Sequence, residues 1–456
     1  MPSDLERTKQ LIADQAIEFI DLKTVDLVGR LHHITLPIGN GTLDRIMEQG
    51  VGFDGSSFGF AKVENSDMIQ KPDLSTVQID LFRDRPTLTC FTNVFLTDAE
   101  RTRFAQDVRW VAQHAEDLLA TLGIADTSLW GPEFEYYIFS DVKYDTRTAS
   151  SYYSIEHAEE FFQNAYHACS PFDLYDDFRD ESCNLFKLAG IPVKYHHHEV
   201  GERGQQEIEL YFDPLLRTAD NMVMAKYILF SQAAEAGLHL TFMPKPMYQQ
   251  AGSGLHLHQY LTRGGKNAFY EAGRYANFND IGRYYIGGLL KHAHALAAFT
   301  NPSTNSYKRL VPGFEAPVAM TFGQANRSSC VRIPRYIYDP EETRLEYRPP
   351  DATGNPYLML AAMLMAGIDG IVNKIDPEKE GYGPHDGRLA DAGEVQFLPR
   401  NLEEALDALE VDNEFLQRDD VFPASLITQW LKTKREEVHA IATMPHPFEY
   451  KQYFSR

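Results

Sequence analysis

Apolar residues in the first hundred positions predict one helix followed by short strands. The helix covers about residues 5–20 and places Leu5 and Phe19 on one apolar side. Short apolar runs at 25–31 and 87–91 predict strands. These short, mixed elements predict a small domain.

A capping-box pattern at 97–100 predicts the start of the next helix and places a domain boundary near residue 100. We therefore expect one domain over 1–100 and a second over 101–456. The second domain is predicted to contain strands around Glu133, Glu199 and His256 and helices at about 221–236, 281–299 and 357–372. This irregular order of strands and helices favours the α+β class over a doubly wound sheet.

Composition indicates an ordinary globular protein. The chain has 456 residues, of which 43% are hydrophobic, and a formal net charge of −22. Domains usually hold about 100 to 200 residues, so two or more are expected. The strong negative charge argues against nucleic acid and against anionic membrane surfaces, because both select basic patches.

Cysteines and apolar runs indicate the compartment. Cys90, Cys169, Cys183 and Cys330 are scattered without the spacing of a zinc site or a disulfide framework. The amino terminus lacks the pattern of a signal peptide, and no apolar run approaches the roughly 20 residues that span a bilayer. We expect a cytoplasmic protein with no membrane partner.

The segment 131–136 places two glutamates, Glu133 and Glu135, two residues apart in an otherwise apolar strand. Side chains at i and i+2 share one face of a strand. Clustered carboxylates raise each other's pKa unless a cation or a proton compensates them. The pair therefore indicates a divalent metal site.

Three other predicted strands repeat this spacing. The pairs are His197 with Glu199, His256 with His258, and Glu346 with Arg344 and Arg348. Each taken alone is also typical of a sheet with one solvated face. Together they use Glu, His and Arg, which bind metal ions, phosphate and carboxylate, and not the Lys, Thr, Ser and Gln of an ordinary solvated face.

These motifs resemble the glutamine synthetase family, of the bacterial and archaeal type I class. The resemblance runs from 53–57 through the Glu133, Glu199, His256, Asn301 and Arg344 segments to 445–447. It implies an α+β fold with a small β-grasp amino-terminal domain. A large catalytic domain would follow, built on a curved antiparallel sheet with flanking helices. It also implies a homododecamer of two stacked six-membered rings.

The resemblance implies ATP-dependent ligation of ammonia to L-glutamate, with two Mg²⁺ or Mn²⁺ ions in each active site. It assigns Glu135, Glu199 and Glu207 to one ion and Glu133, His256 and Glu346 to the other. Metals suit this chemistry because they stabilise a transferring phosphoryl group, here as glutamate becomes γ-glutamyl phosphate.

The family positions also assign substrate contacts. Those for ATP and its phosphates are His197, His258, Arg327 and Arg332, and those for glutamate are Gly252, Arg309, Arg327 and Arg348. Bidentate guanidinium groups suit both phosphate and carboxylate.

An ammonium pocket would be formed by Asp54, Ser57, Tyr166, Glu199 and Glu315. By the resemblance, Asp54 is the base and comes from the neighbouring subunit, while Glu315 lies on a flap over the acyl phosphate. Negative groups attract ammonium and favour its entry.

Two alternatives stay open at this stage. One is a γ-glutamyl ligase for a small amine, since one methylene of pocket space changes discrimination by only about 1 to 3 kcal/mol. The other is a catalytically silent structural relative. The complete set of predicted metal ligands and the ammonium pocket favour the ammonia ligase.

Overall fold

The computed structural model describes residues 2–39, 41–161, 165–311, 316–388 and 394–456. Its fold is α+β, with a small amino-terminal sheet and a large sheet surrounded by helices. The predicted fold class is therefore confirmed.

The small sheet has the strand order β2-β1-β6-β4-β3, with β5 beside β6. Its strands are β1 (Phe19–Val25), β2 (Leu31–Pro37), β3 (Val51–Asp54), β4 (Asp67–Pro72), β5 (Gln78–Ile79) and β6 (Thr87–Leu96), and its helices are α1 (Asp4–Asp14) and α2 (Thr42–Gln49). The β1 and β6 strands run parallel and the other pairs antiparallel.

The large sheet has the order β10-β11-β7-β14-β18-β17-β16. Its strands are β7 (Thr127–Phe139), β10 (Val193–His198), β11 (Gln205–Leu210), β12 (Asp213–Pro214), β13 (His239–Thr241), β14 (Leu255–Arg263), β15 (Lys266–Asn267), β16 (Ala319–Gln324), β17 (Ser329–Ile333) and β18 (Leu345–Tyr347). A separate hairpin joins β8 (Asp141–Arg147) to β9 (Ser150–Glu156). The large sheet is antiparallel, as predicted, except for the parallel pair β16–β17 at one edge.

Helices cover the large sheet. They are α3 (Val108–Thr121), α4 (Asp176–Leu188), α5 (Leu215–Glu235), α6 (Asp280–Lys291), α7 (Ala293–Thr300), α8 (Ser306–Arg309), α9 (Pro356–Asn373), α10 (Leu402–Val411), α11 (Glu414–Gln417), α12 (Ala424–Ala442) and α13 (Pro447–Tyr453). The predicted helix at 357–372 corresponds to α9, and the one at 221–236 begins six residues earlier, at Leu215.

Two predicted helices differ from those in the structure. The first helix ends at Asp14 because the backbone turns at Ala16, which has a φ of 48°, and Phe19 begins β1. The predicted helix at 281–299 is two helices divided at His292, whose ring lies between Asp369 and Asp412.

The capping-box prediction at 97–100 was also wrong. The helix begins at Val108, where an Asp107 carboxylate oxygen accepts a hydrogen bond from the Arg109 N–H. Asp98 instead accepts from the Thr102 N–H at 2.8 Å and closes a turn. The predicted strand at 25–31 is largely the turn between β1 and β2, with Gly29 at a φ of 91°.

The α9 helix forms the centre of the large domain and is apolar on all sides. By length and composition it could cross a membrane, but 83% of its 18-residue apolar stretch is buried inside the protein. It crosses α6 so closely that a Cβ on Gly370 would lie 2.6 Å from the backbone N of Gly288. Such burial and close packing are typical of a core helix.

A buried polar network joins the small domain to the large one. The Arg109 guanidinium bonds Asp220 through two nitrogens, at 3.0 and 2.9 Å, and also reaches Asn93 and Asp73 in the small domain. Tyr357 on α9 donates to the same Asp220 carboxylate at 2.7 Å. This network fixes β6 against α3, α5 and α9.

A partly buried carboxyl group, Glu116 on α3, gives a pH-dependent contribution to stability. It accepts hydrogen bonds from the N–H and hydroxyl of Ser128 on β7. Burial nevertheless raises the pKa of Glu116 to about 7, from an ordinary value of 4.5. Because the folded state holds a proton that the unfolded chain has lost, stability falls as the pH rises through this window.

We expect Glu116→Gln to remove this pH dependence. As the pH rises from about 5 to about 8, the free energy of unfolding of the variant should increase relative to that of wild type by on the order of 1 to 2 kcal/mol. Melting temperatures of both proteins at the two pH values measure it. A difference between them that does not change with pH would contradict the prediction.

Candidate active site

A row of charged side chains crosses six neighbouring strands of the large sheet. The directly opposed pairs, in sheet order, are His197–Glu207 (β10–β11), Glu207–Glu135 (β11–β7), Glu133–His256 (β7–β14), His258–Glu346 (β14–β18) and Glu346–Arg332 (β18–β17). We call these eight residues the charged ladder. Opposed residues in a sheet have Cβ atoms about 4.5 to 5.5 Å apart, so their side chains interact.

The centre of the ladder joins β7 to β14. His256 Nδ1 lies 2.7 Å from Glu133 Oε1, and His256 Nε2 lies 3.6 Å from Glu135 Oε1. His258 Nε2 lies 3.4 Å from Glu133 Oε2. Burial raises the pKa of Glu133, but the two histidines more than offset this and hold it well below its usual value.

The end of the ladder toward β10 is rich in acid. Glu199, just beyond β10, has its pKa raised to about 8 by burial and by the nearby charge of Glu135. Burial and the charges of Glu133 and Glu199 raise the pKa of Glu207 well above its usual value. Three carboxylates thus share a largely buried space in which they repel each other.

His197 and Glu207 are in contact at this end of the ladder. The His198 carbonyl can only accept, so His197 Nδ1, at 3.0 Å from it, carries a hydrogen. Burial lowers the pKa of His197, so the ring is neutral and its Nε2 accepts. Glu207 Oε1 lies 2.9 Å from this nitrogen, and burial and the neighbouring carboxylates raise the pKa of Glu207.

The opposite end of the ladder is rich in arginine. Both Arg332 and Arg348 form ion pairs with the fully buried Glu346. Although burial opposes ionisation, the charge of Arg348 leads the effects that lower the pKa of Glu346 to about 2. The Nε–H groups of Arg332 and Arg348 are buried and have no partner among the described residues, so they can donate to an anionic ligand.

The ladder offers donor sets that suit a divalent metal. Three groups have ligand atoms all within 4.8 Å of one another: Glu133 with Glu135 and His256, Glu133 with His258 and Glu346, and His197 with Glu199 and Glu207. Carboxylate oxygens are ligands for Mg²⁺ and Mn²⁺, and imidazole is common for transition metals. A divalent cation would offset the burial and mutual repulsion that raise the pKa values of Glu199 and Glu207. All six predicted metal ligands therefore lie in the ladder or beside it.

The predicted ammonium pocket is only partly assembled within one chain. Tyr166 receives a hydrogen bond from Arg327, and the Glu199 charge contributes to the raised pKa of Tyr166. Asp54 ends β3 and Ser57 lies in the short 3₁₀ turn that follows; both are exposed, and the Ser57 hydroxyl donates to Asp54 at 3.2 Å. No hydrogen bond or ion pair joins these two to the ladder within the ranges that the structure describes. Glu315 lies outside the described residues.

Sequence comparisons match the chain to one family. A model of the glutamine synthetase catalytic domain matches residues 105–453, and a model of the glutamine synthetase β-grasp domain matches residues 16–97. The chain belongs to the glutamine synthetase family. It is 42% identical to a glutamine synthetase of Frankia alni over 98% of each chain, and 42% identical to one of Streptomyces coelicolor over all of both chains.

Solved structures show the same relationship. A cryo-EM structure of the Plasmodium falciparum glutamine synthetase superposes with a TM-score of 0.90 at 26% identity, covering 99% of each chain. A complex of GmaS with ADP superposes with a TM-score of 0.85 at 27% identity, covering both chains fully. The architecture of the whole chain is therefore that of glutamine synthetases.

Arg309, the predicted glutamate contact of this glutamine synthetase chain, is held beside His256. Its guanidinium donates to the carbonyls of Pro349 at 2.7 Å and Arg348 at 3.2 Å, and lies 3.5 Å from His256 Nε2. Gly254 leaves the space for it: an added Cβ would overlap Arg309 Nη2 and lie 2.9 Å from His256 Nε2. Gly252 is packed against the Arg309 side chain in the same way.

We expect Gly254→Ala to weaken glutamate binding by displacing Arg309. Small displacements of a substrate-positioning group cost up to about 100-fold, so the KM for glutamate should rise at least about tenfold. Steady-state kinetics measure it. The matched control is Gly387→Ala, where an added Cβ meets nothing within 4 Å. Equal KM values for the two variants would contradict the prediction.

Two further residues lie at the site but were not predicted. Glu209 is fully buried, bonds Lys194 Nζ at 2.7 Å, and lies 3.9 Å from His258 Nε2. The i, i+2 spacing of Glu207 and Glu209 could have indicated it. Lys194 reaches Glu209 because the β10–β11 register shifts between Val193 and Tyr195, a bulge that single-strand alternation does not reveal.

Proposed function

We propose that the chain ligates ammonia to L-glutamate with ATP, through γ-glutamyl phosphate, to give glutamine, ADP and phosphate. The observation that carries the proposal is the charged ladder, with uncompensated carboxylates at one end and arginines at the other. The acid end suits metal and ammonium, and the arginine end suits phosphate and carboxylate.

Acidic and basic residues of the site have different proposed roles. Two divalent ions, Mg²⁺ or Mn²⁺, would be held by Glu135, Glu199 and Glu207 and by Glu133, His256 and Glu346; when bound they stabilise the charge of the transferring phosphoryl group. Arg332 and Arg348 both pair with Glu346, and their Nε–H groups, which have no partner among the described residues, would bind the phosphate and the γ-carboxylate. Arg309 binds the α-carboxylate of glutamate.

Ammonium is bound by negative groups, with Asp54 supplied by a second subunit. Hydrogen bonds from the Ser56 hydroxyl and N–H lower the pKa of Asp54, so this exposed carboxylate stays ionised and attracts the cation. Glu199, Tyr166 and Arg327 form the wall from the first subunit.

A product assay tests this function. Purified protein is incubated with Mg²⁺, ATP and glutamate, and ammonium, methylamine or ethylamine is supplied in turn. We expect mass spectrometry to identify glutamine at low ammonium and far less product with the amines. Preferential formation of alkylamides would instead identify a γ-glutamyl ligase for small amines.

A binding assay separates inactivity from failure to bind. We expect ADP with Mg²⁺ to raise the melting temperature, because a ligand that binds only the folded state stabilises it. A protein that neither makes product nor responds to the nucleotide would be a silent structural relative.

We infer that the protein works as a homo-oligomer, a dodecamer of two six-membered rings, with residues 1–100 as the β-grasp domain and 101–456 as the catalytic domain. Within the described ranges of one chain, Asp54 and Ser57 are exposed and have no hydrogen bond or ion pair with the ladder, which supports active sites shared between subunits. Four free cysteines support a reducing cytoplasm.

Subunit mixing tests the shared site. Asp54→Ala and Glu207→Gln are each expected to be inactive, yet oligomers co-expressed from both should regain activity. With random assembly, about one quarter of the sites combine an intact Asp54 with an intact Glu207 from different chains. Activity near a quarter of wild type, measured per subunit, is expected. No recovery in verified mixed oligomers would show that each site uses residues of one chain.

A further inference from the structure

A cavity of about 420 Å³ lies where the small domain meets α5, away from the charged ladder. One wall is formed by the β1–β2 hairpin and the other by α5. Its apolar surface comes from Leu31, Val223, Tyr227, Phe230 and Pro356. None of the residues that line it belongs to the ladder, so its contents would be separate from the proposed substrates.

The polar lining is strongly basic for a chain of net charge −22. Lysine and arginine line the cavity at four positions, Lys23, Arg30, Arg83 and Lys226, against a single carboxylate, Asp21. Part of this charge is balanced locally. Lys23 Nζ pairs with Asp80 at 2.9 Å, and Asp21 is occupied by His33 at 3.1 Å and by Arg83 at 4.0 Å.

Lys226 is not balanced in this way. Its ammonium donates to the Ala352 carbonyl at 2.6 Å, and no carboxylate of the described chain lies within ion-pair distance of it. Burial lowers the pKa of Lys226 to about 8, and the charge of Asp351 only partly offsets this. An ammonium group held in this position is stabilised by an anion beside it.

Arg30 supplies a second cation without a carboxylate partner among the described residues. It follows the turn after β1, and its side chain is exposed at the cavity mouth. Within the described ranges, its guanidinium forms no hydrogen bond or ion pair. Guanidinium groups bind carboxylate and phosphate in bidentate geometry, so Arg30 is equipped to capture an anion that enters.

We propose that this cavity binds a small organic anion, a carboxylate or a phosphate monoester that carries an apolar group. Lys226 and Arg30 bind the anionic group, and Tyr227 and Phe230 contact the apolar part. Pockets of a few hundred Å³ with an apolar lining and a few convergent polar groups are the usual form of small-molecule sites. This site is additional to the proposed ligase site.

Calorimetry with matched probes tests the proposal on the intact protein. The probes are 3-phenylpropionate, phenyl phosphate and the uncharged 3-phenylpropanol, titrated with the nucleotide site filled by ADP and Mg²⁺. We expect both anions to bind in the millimolar range or tighter, and the alcohol at least about tenfold more weakly. The tighter of the two anions identifies the preferred charged group.

Variants locate the binding. Lys226→Met and Arg30→Gln should each weaken anion binding about tenfold, whereas Lys379→Met, at a side chain that is 83% exposed and outside the cavity, should not change it. Because Arg30 is exposed, its replacement leaves folding intact even if Lys226→Met does not. Failure of both anions to bind, equal binding of the alcohol, or unchanged affinity in Arg30→Gln would each overturn the proposal. The readout needs no turnover, so it is independent of the ligase activity.

Discussion

Replacement of Glu207 by glutamine should abolish activity and at the same time stabilise the metal-free protein. Glu207 lies in the ladder between His197 and Glu135, where burial and neighbouring carboxylates raise its pKa. Glutamine removes that repulsion, and its amide can still donate to His197 Nε2. The melting temperature without metal, at about pH 8, should therefore exceed that of wild type.

The same substitution removes a carboxylate from the predicted metal site. Loss of second-shell partners alone commonly costs 10- to 100-fold in metal affinity or activity, so we expect loss of a ligand to lower the rate by about a thousandfold or more. Stabilisation by Mg²⁺ should also be lost. The wild type should release protons when Mg²⁺ binds, because Glu199 and Glu207 must ionise, and its Mg²⁺ affinity should fall as the pH falls below about 8.

Calorimetry in buffers of different ionisation enthalpy measures the released protons, and thermal melts measure the stability. The control is Glu160→Gln, which removes a surface carboxylate paired with Arg203 at 3.2 Å. A Glu207→Gln protein that keeps activity within about tenfold, or that melts lower than wild type without metal, would contradict the assignment of this residue.

Replacement of Arg109 by methionine should be among the most destabilising single changes in the chain. Its guanidinium is 2% exposed and satisfies Asp220, Asp73 and Asn93 at the junction of the two domains. Removing it leaves buried carboxylates without a cation. Breaking a buried pair in this way costs about 3 to 5 kcal/mol, which corresponds to a drop of roughly 10 °C in melting temperature.

Thermal melts of two comparison variants distinguish the cost of an unpaired buried charge from the cost of lost contacts. Arg435→Met removes an exposed arginine that pairs with Asp407 and Glu410, and it should cost only about 0 to 1 kcal/mol. Adding Asp220→Asn to Arg109→Met should recover part of the loss, because the unpaired carboxylate is then gone. If Arg109→Met melts like Arg435→Met, the network does not hold the domains together.

The errors in the predicted elements lie at helix boundaries. Local pattern placed a helix over 5–20, a cap at 97–100 and one helix over 281–299, whereas the structure ends α1 at Asp14, starts α3 at Val108 and divides α6 from α7. The α1 helix ends where the backbone turns at Ala16, whereas contacts with distant segments decided the start of α3 and the division between α6 and α7. Asp107, for example, caps α3 while it also binds the Val94 N–H on β6. Such contacts are invisible to a window of neighbouring residues.

The sequence by itself determined the residue types at the site and the strands that carry them. Alternation along β7 and β14 places Glu133 with Glu135, and His256 with His258, on one face whatever the rest of the chain does. The family motifs identified the same residues, and the α+β class followed from the order of the elements.

Only the tertiary structure decided how these faces align. The register opposes Glu133 to His256 and Glu207 to Glu135, pairs that lie far apart in sequence, and a shift of one residue would have turned each face away. In that arrangement burial and Glu135 raise the pKa of Glu199, whereas positive charges led by Arg348 outweigh burial and lower the pKa of Glu346. The sequence specifies the chemistry of each side chain directly, whereas register, burial and charge compensation depend on the whole fold.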